Sequence, residues 1–513
     1  MIGIYSDSVD ADLINIIYGA FIRSFTPSQI TLFDNLNDFD TFDILLFIDP
    51  NESSLSHLIN KNKIKRKKII IFGSLPKSFY SNYKYKELNL DLDQIYNYTP
   101  PAKSGSFSES KANIEFHNNP LINKNELFNH SFERYDFVDE WNNLNYGFIS
   151  NKKPWNICQS LISLPEDTVA SIVYDNQRIS FITVHDNNDS SIIWINRSVG
   201  LVDSHEWHII EEFVSNYRSD TLNCLPYVSE IPFGYDSLNT MRFDCDESLT
   251  SLDYISKFYH YENIPFSIAV PSHLFELDNN QNINKNKFAT ILSHSHTHPK
   301  NWGGNYEESY NQAYQSKKIL ENFFNTKIEY AVSPFHQSPD YSLKALKDAG
   351  YKGCVGGIST SEKKTCIARG GTLVFKDFNI LFDSQQVMLH GDCILDERDK
   401  LKIYKNSFDL SFSCNKLFGY LDHPFSSRYN YGWDNEDARL KYHKELIHYI
   451  KSKSKKPKFV SEEEAFNLLA NKDNIVFTKD KNQMNVSSSL NKNDQSPTIH
   501  YKGKLFSIGT FHL

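Results

Sequence analysis

No run of apolar residues in this chain approaches the roughly 18–20 that a helix needs to cross a bilayer, so no membrane span is expected. Glycine and alanine are scarce, and no GxGxxG or P-loop follows the early apolar strands, so nucleotide binding is not signalled. The seven cysteines, at 158, 224, 245, 354, 366, 393 and 414, are odd in number and scattered, with no CxxC pair or zinc-knuckle spacing. They read as reduced thiols rather than a disulfide framework. Met1-Ile2-Gly3-Ile4-Tyr5 opens a strand at once, without a basic or apolar leader, and a cytoplasmic location is the expectation. A net charge of −9 gives no reason to expect nucleic acid or an anionic membrane as partner.

What is present is length and apolar material. A chain of 513 residues with 40% hydrophobic side chains can fill two or three cores. Apolar strands near Ile2–Tyr5, Phe42–Ile48 and Lys68–Phe72 alternate with helical stretches, which points to a parallel sheet. Strand pairs follow at Thr168–Tyr174, Arg178–His185 and Ser191–Ile195, between Asp/Asn-rich turns. Residues 222–240 read as a linker or surface strap. From Met241 a second β/α alternation begins, with helices expected at 250–260, 306–324 and 340–349 and a strand at 372–381. Ser461–Glu464 is a capping box for a last helix, and short strands at 474–477 and 498–501 follow it.

Chemistry concentrates in two runs. Arg242-Phe243-Asp244-Cys245-Asp246-Glu247 ends an apolar strand, and His294-Ser295-His296-Thr297-His298-Pro299 follows another. Histidines four apart can point the same way from one turn. With Asp246 from a different strand they make a three-ligand set for a divalent cation, leaving one position open for water. Two close carboxylates beside a cation can divide the work, one ligating and one taking a proton. The plain alternatives are an acidic loop capping the next helix and a solvated histidine cluster.

In this order the motifs resemble the polysaccharide deacetylase (NodB-homology) superfamily, carbohydrate esterases built on a distorted (β/α) barrel. The resemblance implies Asp244 as catalytic base, Asp246, His294 and His298 as metal ligands, and His296 at a position without a required role. Residues 263–270 and the helix ending Ala349-Gly350-Tyr351 match as well. The third motif departs from the pattern: Ser333-Pro334-Phe335-His336 stands where an arginine normally steadies the base, and Arg242 and Arg369 are the two candidates to take its place. A backbone N–H near Pro334 is expected to face the oxyanion, and His336 to face the site. Tyr420-Leu421-Asp422-His423-Pro424 resembles the last motif and implies His423 as the acid, with His390 the competing choice. His390, Asp392, Trp302 and Trp433 are further expected to line the substrate site.

The element pattern and this resemblance together imply an α/β chain in three parts. The early parallel strands and late hairpin of 1–222 resemble an α/β accessory domain of flavodoxin- or glutamine-amidotransferase-like type, without a nucleophile cysteine. A deacetylase barrel covers 223–472, and a small β appendage covers 473–513. The implied activity is hydrolysis of the N-acetyl amide of an acetamido sugar, with Zn²⁺ (or Co²⁺, Ni²⁺ or Mn²⁺) as the metal. The alternatives are a non-catalytic carbohydrate-binding or scaffold protein and a C–N hydrolase acting on a formyl or cyclic amide. Oligomeric state is not legible.

Overall fold

The computed structural model describes residues 1–511 except 7–8, 60–65, 91–111, 123–126, 128, 132–156, 175, 200–203, 250, 278–288, 357–368, 376–377, 384–385, 394–397, 481–482 and 490–494. Two large sheets organise it. The first has nine strands. Ile30–Phe33, Ile2–Tyr5, Ile44–Ile48, Lys67–Phe72 and Ser190–Ile195 lie side by side in parallel. Gln177–Asn187, Thr168–Tyr174, Ala112–Phe116 and His130–Ser131 then continue antiparallel. The all-apolar run Ile44–Ile48 and the strand Lys67–Phe72, which opens with two lysines, are buried along their whole length, as strands covered on both faces must be.

The second sheet carries the chemistry. Its central strand, Ser237–Asp244, is flanked in parallel by Ser267–Val270 and Leu417–Asp422, and its first half also pairs with Pro457–Val460. Thr290–Ser293, Tyr330–Val332, Gly353–Val355 and Phe378–Asp383 extend one side, and Gln386–Met388 the other. Helix Tyr306–Phe324 has the expected bounds, and the capping box of Ser461 with Glu464 starts helix Glu462–Asp473.

Three expectations change. The stretch expected as one strand at 372–381 is a hairpin of Gly371–Phe375 on Phe378–Asp383, which puts an antiparallel strand at the sheet's end. Among the described residues that strand does not reach Gln386–Met388, so the sheet stays open where a barrel was expected. Helix Ala11–Phe25 lies against this edge instead. A Cβ on Gly371 would sit 3.2 Å from the Arg23 side chain, and one on Gly19 3.9 Å from the Val374 carbonyl. The expected strap at 222–240 also proves to be structure, because Tyr227–Pro232 is a fully buried strand paired with Pro497–Tyr501. The C-terminal residues form that pairing, its neighbour Lys504–Phe506, and a separate hairpin of Ile475–Asp480 with Gln483–Ser488. No described helix is long and apolar enough to cross a membrane.

The two sheets share their largest apolar core, and a buried ion pair crosses between them. Arg369 grips both oxygens of Glu211, on helix Ser204–Ser215, and donates to the carbonyls of Cys414 (2.8 Å) and Asn415 (3.0 Å). Ser24 donates to Glu211 at 2.6 Å and accepts from Trp207 Nε1 at 2.8 Å. Burial pushes the Glu211 carboxyl up, but the Arg369 charge outweighs it and holds Glu211 down at about 2. Because the folded value is the depressed one, this stability is complete above the ordinary value of 4.5 and drains away as pH falls toward about 2. Arg369→Met strands a buried carboxylate and is expected to cost about 3–5 kcal/mol in urea unfolding at neutral pH. A loss under 1 kcal/mol would mean that water reaches Glu211.

Candidate metal and catalytic site

Parallel strands deliver side chains to a common end, and here the carboxyl ends of the second sheet converge. Asp244 is the last residue of its strand, Asp246 lies just beyond it, and His294 follows Thr290–Ser293. His390 and His423 follow the neighbouring strands Gln386–Met388 and Leu417–Asp422.

Three of these form a compact set. The Nε2 atoms of His294 and His298 are 3.0 Å apart and lie 3.2 and 3.4 Å from Asp246 Oδ1. Zn²⁺ bonds of about 2.0–2.1 Å in a tetrahedron set ligand atoms about 3.3 Å apart, so the spacing suits one small cation. Asp246 Oδ1 is buried and accepts no hydrogen bond from the described residues, an orphan that a cation would satisfy. His294 Nδ1 lies 2.9 Å from the Val332 carbonyl, which fixes the proton on Nδ1 and leaves Nε2 bare for a metal. Burial lowers His298 to about 4 against the pull of Asp246, so its ring is neutral at pH 7, as a ligand's must be. His296 turns away, its Nδ1 at 2.8 Å from Ser272 Oγ.

The loops that carry this set are bent in ways side chains rarely permit. Ser295 (φ 66°), His298 (56°), Trp302 (56°), Phe335 (53°) and His336 (55°) are all left-handed without being glycine. Each costs of order 1–3 kcal/mol, and such positions cluster at functional sites. The His298 ring packs against Phe335 at 4.8 Å.

Asp244 is 1% exposed and belongs to a different partner. Arg242, two residues earlier and therefore on the same face of the strand, donates from Nε to Asp244 Oδ1 (2.6 Å) and from Nη2 to Oδ2 (3.1 Å). Its Nη1 reaches Glu462 Oε1 at 3.3 Å, at the start of the capped helix. Burial alone would raise Asp244, but Arg242 and then His294 hold it down at about 2. Ser333 instead packs inward, within 2.8 Å of Ser338 Oγ and 3.1 Å of Trp302 Nε1. Of the two arginines expected to replace the missing one, Arg242 pairs with Asp244 and Arg369 is committed to Glu211.

The acid candidates meet each other. His423 Nδ1 is 2.6 Å from His390 Nε2, and His423 Nε2 is 3.5 Å from Asp246 Oδ2. Burial disfavours a charge on His423, yet Asp246 and Asp244 raise its affinity for a proton above the ordinary histidine value. Asp422, His390 and His423 also bring three ligand-type atoms close together. There, however, 2.6 Å is too short for two ligands of one ion, and Asp422 already accepts from His443 (2.9 Å) and the His423 amide (2.7 Å). This second set is a hydrogen-bonded cluster. Asp422 and His443 were not singled out in the sequence; the signal was Asp422 standing directly before His423 at a strand end.

The outer residues sort differently. His336 is half-buried, and Asp244, Arg242, His423 and His294 all act on its charge; burial, the strongest influence, lowers it to about 4. The amides of His336 and Gln337 are spent on Ser333 (3.1 Å) and Pro334 (3.0 Å), so neither is offered to an oxyanion beside Pro334. Trp302 is fully buried, and Trp433 is 4% exposed and stacked on Tyr442, so neither presents a ring face for a sugar. Asp392 accepts from Tyr429 at the rim. Its loop is pressed onto the 429–433 loop through Gly391 and Gly432, where an added Cβ would lie 2.0 and 2.1 Å from the opposing backbone.

No protein-family model and no curated protein matches the chain. Solved structures similar to it do exist. One is a Mycobacterium smegmatis protein named as a polysaccharide deacetylase, 12% identical, covering 47% of this chain and 92% of that one, with a TM-score of 0.36. A family 4 carbohydrate esterase from Bacillus anthracis is 12% identical over 45% of this chain and 83% of its own, with a TM-score of 0.30. A CE4 family pseudoenzyme from the same organism gives 12%, 45%, 66% and 0.30. These neighbours belong to the polysaccharide deacetylase family. At such scores the likeness carries no argument about chemistry, and the site stands on its own geometry.

Asp246→Ala or His294→Ala is expected to lower Zn²⁺ affinity by more than about a hundredfold, since even outer-shell partners are worth 10–100-fold. Competition with a chromogenic chelator measures this. Unchanged affinity in both variants would place the metal elsewhere.

Proposed function

We propose that this chain is a metal-dependent amide hydrolase that removes the N-acetyl group of an acetamido sugar and releases acetate. The observation that carries the reading is the spacing of Asp246, His294 and His298, with Asp244 and His423 beside them. A divalent cation held by these three, Zn²⁺ first among the choices, would polarise the amide carbonyl and make water acidic enough to attack near neutral pH.

The chain's own residues supply the proton traffic. Asp244 is an anion at neutral pH and accepts the proton of the attacking water on a carboxylate oxygen. Arg242 holds that carboxylate bidentately and limits its rotation. His423 gives a proton from Nε2 to the departing nitrogen, because an amine leaves only once it is protonated. The bond to nitrogen breaks, and acetate and a free amino sugar result. The sugar part of the reading rests on the order of motifs along the chain.

The non-catalytic alternative drew its support from the missing third-motif arginine. Arg242 at Asp244 removes that support, since the base keeps a guanidinium partner.

Purified protein incubated with N-acetylated sugars should release acetate, and a chelator should stop it. Asp244→Asn is expected to lower turnover by about 10²–10⁴-fold while metal content stays near wild type. Release that survives chelation, or an Asp244→Asn variant at the wild-type rate, would sink the mechanism. Formylated sugars in the same panel test the C–N hydrolase alternative.

A further inference from the structure

The two histidines at the acid position lie on adjacent parallel strands, with Val387 opposite Tyr420 and Met388 opposite Leu421, so the residues just beyond emerge side by side. His390 is 5% and His423 7% exposed. Their rings stand at 64° with 4.5 Å between centroids, and Nε2 of the first meets Nδ1 of the second at 2.6 Å. The Tyr431 ring stacks on His423 at 4.7 Å and 20° and also touches His390. The Tyr431 carbonyl accepts from the Gly391 amide at 3.0 Å, so both rings and their loops form one clamped unit.

We propose that His390 is a positioning residue for His423: its Nε2 lone pair accepts the His423 Nδ1 proton, setting the ring so that Nε2 is the atom that delivers a proton to the leaving nitrogen. This rests on the assignment of His423 as the acid. A hydrogen bond between two imidazole nitrogens holds one proton, so one ring must donate and the other accept. To give up a proton from Nε2 and remain neutral, His423 must also carry one on Nδ1. Nδ1 can then only donate, and His390 Nε2 must be the acceptor.

The opposite arrangement leaves His423 a neutral ring with hydrogen on Nε2 alone, and losing that hydrogen would make an imidazole anion. Burial, with the His423 charge next to it, lowers His390 to about 3, so His390 stays neutral and keeps its lone pair. After transfer His423 still bears hydrogen on Nδ1, and the bond survives the cycle. Asp422 braces the pair from behind through the His423 amide (2.7 Å) and His443 (2.9 Å).

Two variants and a spectrum test this. His390→Gln keeps an acceptor near the Nε2 position, whereas His390→Phe keeps the ring and removes the acceptor. On an N-acetyl sugar the Phe variant should lose about a hundredfold or more in kcat, with KM and metal uptake unchanged, and the Gln variant should recover much of it. On 4-nitrophenyl acetate, whose phenolate departs unprotonated, the Phe variant should lose far less than on the amide. Equal loss on amide and ester, or a Gln variant no better than Phe, overturns the proposal.

The pairing itself is read by long-range proton–nitrogen correlation on histidine-labelled, metal-free protein. His423 Nδ1 should carry hydrogen in both the charged and the neutral ring of wild type, and the neutral ring should become a tautomer mixture in His390→Phe. A bare Nδ1 in the neutral wild-type ring overturns the proposal. Wild-type protein inert on both substrates would refute the hydrolase reading, and the spectrum would still decide the pairing.

Discussion

A guanidinium sealed inside the second sheet holds the site's charges in place. Arg242 sits between Asp244 and Glu462, and all three are buried. Burial raises Glu462 while Arg242 opposes it, and the same cation keeps Asp244 ionised. Taking three charges out of water is costly unless geometry repays it. Here the strand repays it locally: alternate side chains share a face, so Asp244 and Arg242 come from one element with no loop between them. The helix beginning at Glu462 is thereby tied to the central strand, and Asp244 is held by both.

From that strand the remaining parts can be placed by register alone. Neighbouring parallel strands end level with it, which is why side chains from distant stretches of sequence arrive together. Two kinds of contact then divide the site. Around Asp246 the atoms stand about as far apart as ligands of one ion. Around His423 they stand at hydrogen-bond distance and are already satisfied. The difference of a few tenths of an ångström separates a set spaced for one cation from a hydrogen-bonded cluster.

Much of this was legible in the chain itself. Asp246, His294 and His298 come together as the spacing implied, because a strand end and a tight loop leave few other directions. Arg242 was legible only as one of two choices, and the strand decides between them by putting residues two apart on one face. The His390–His423 contact was not, since it depends on two strands pairing across an intervening helix, Lys402–Ser413. The tryptophans misled because an aromatic beside a motif looks the same in sequence whether it faces a sugar or fills a core. The barrel was overextended for a similar reason: apolar β/α alternation records parallel strands but not whether the last strand meets the first.

Where a barrel would close, helix Ala11–Phe25 lies against the edge strand Gly371–Phe375. An uncovered edge is a row of unpaired amides that recruits neighbouring chains. Without that helix, the second sheet would present this edge to a neighbouring copy.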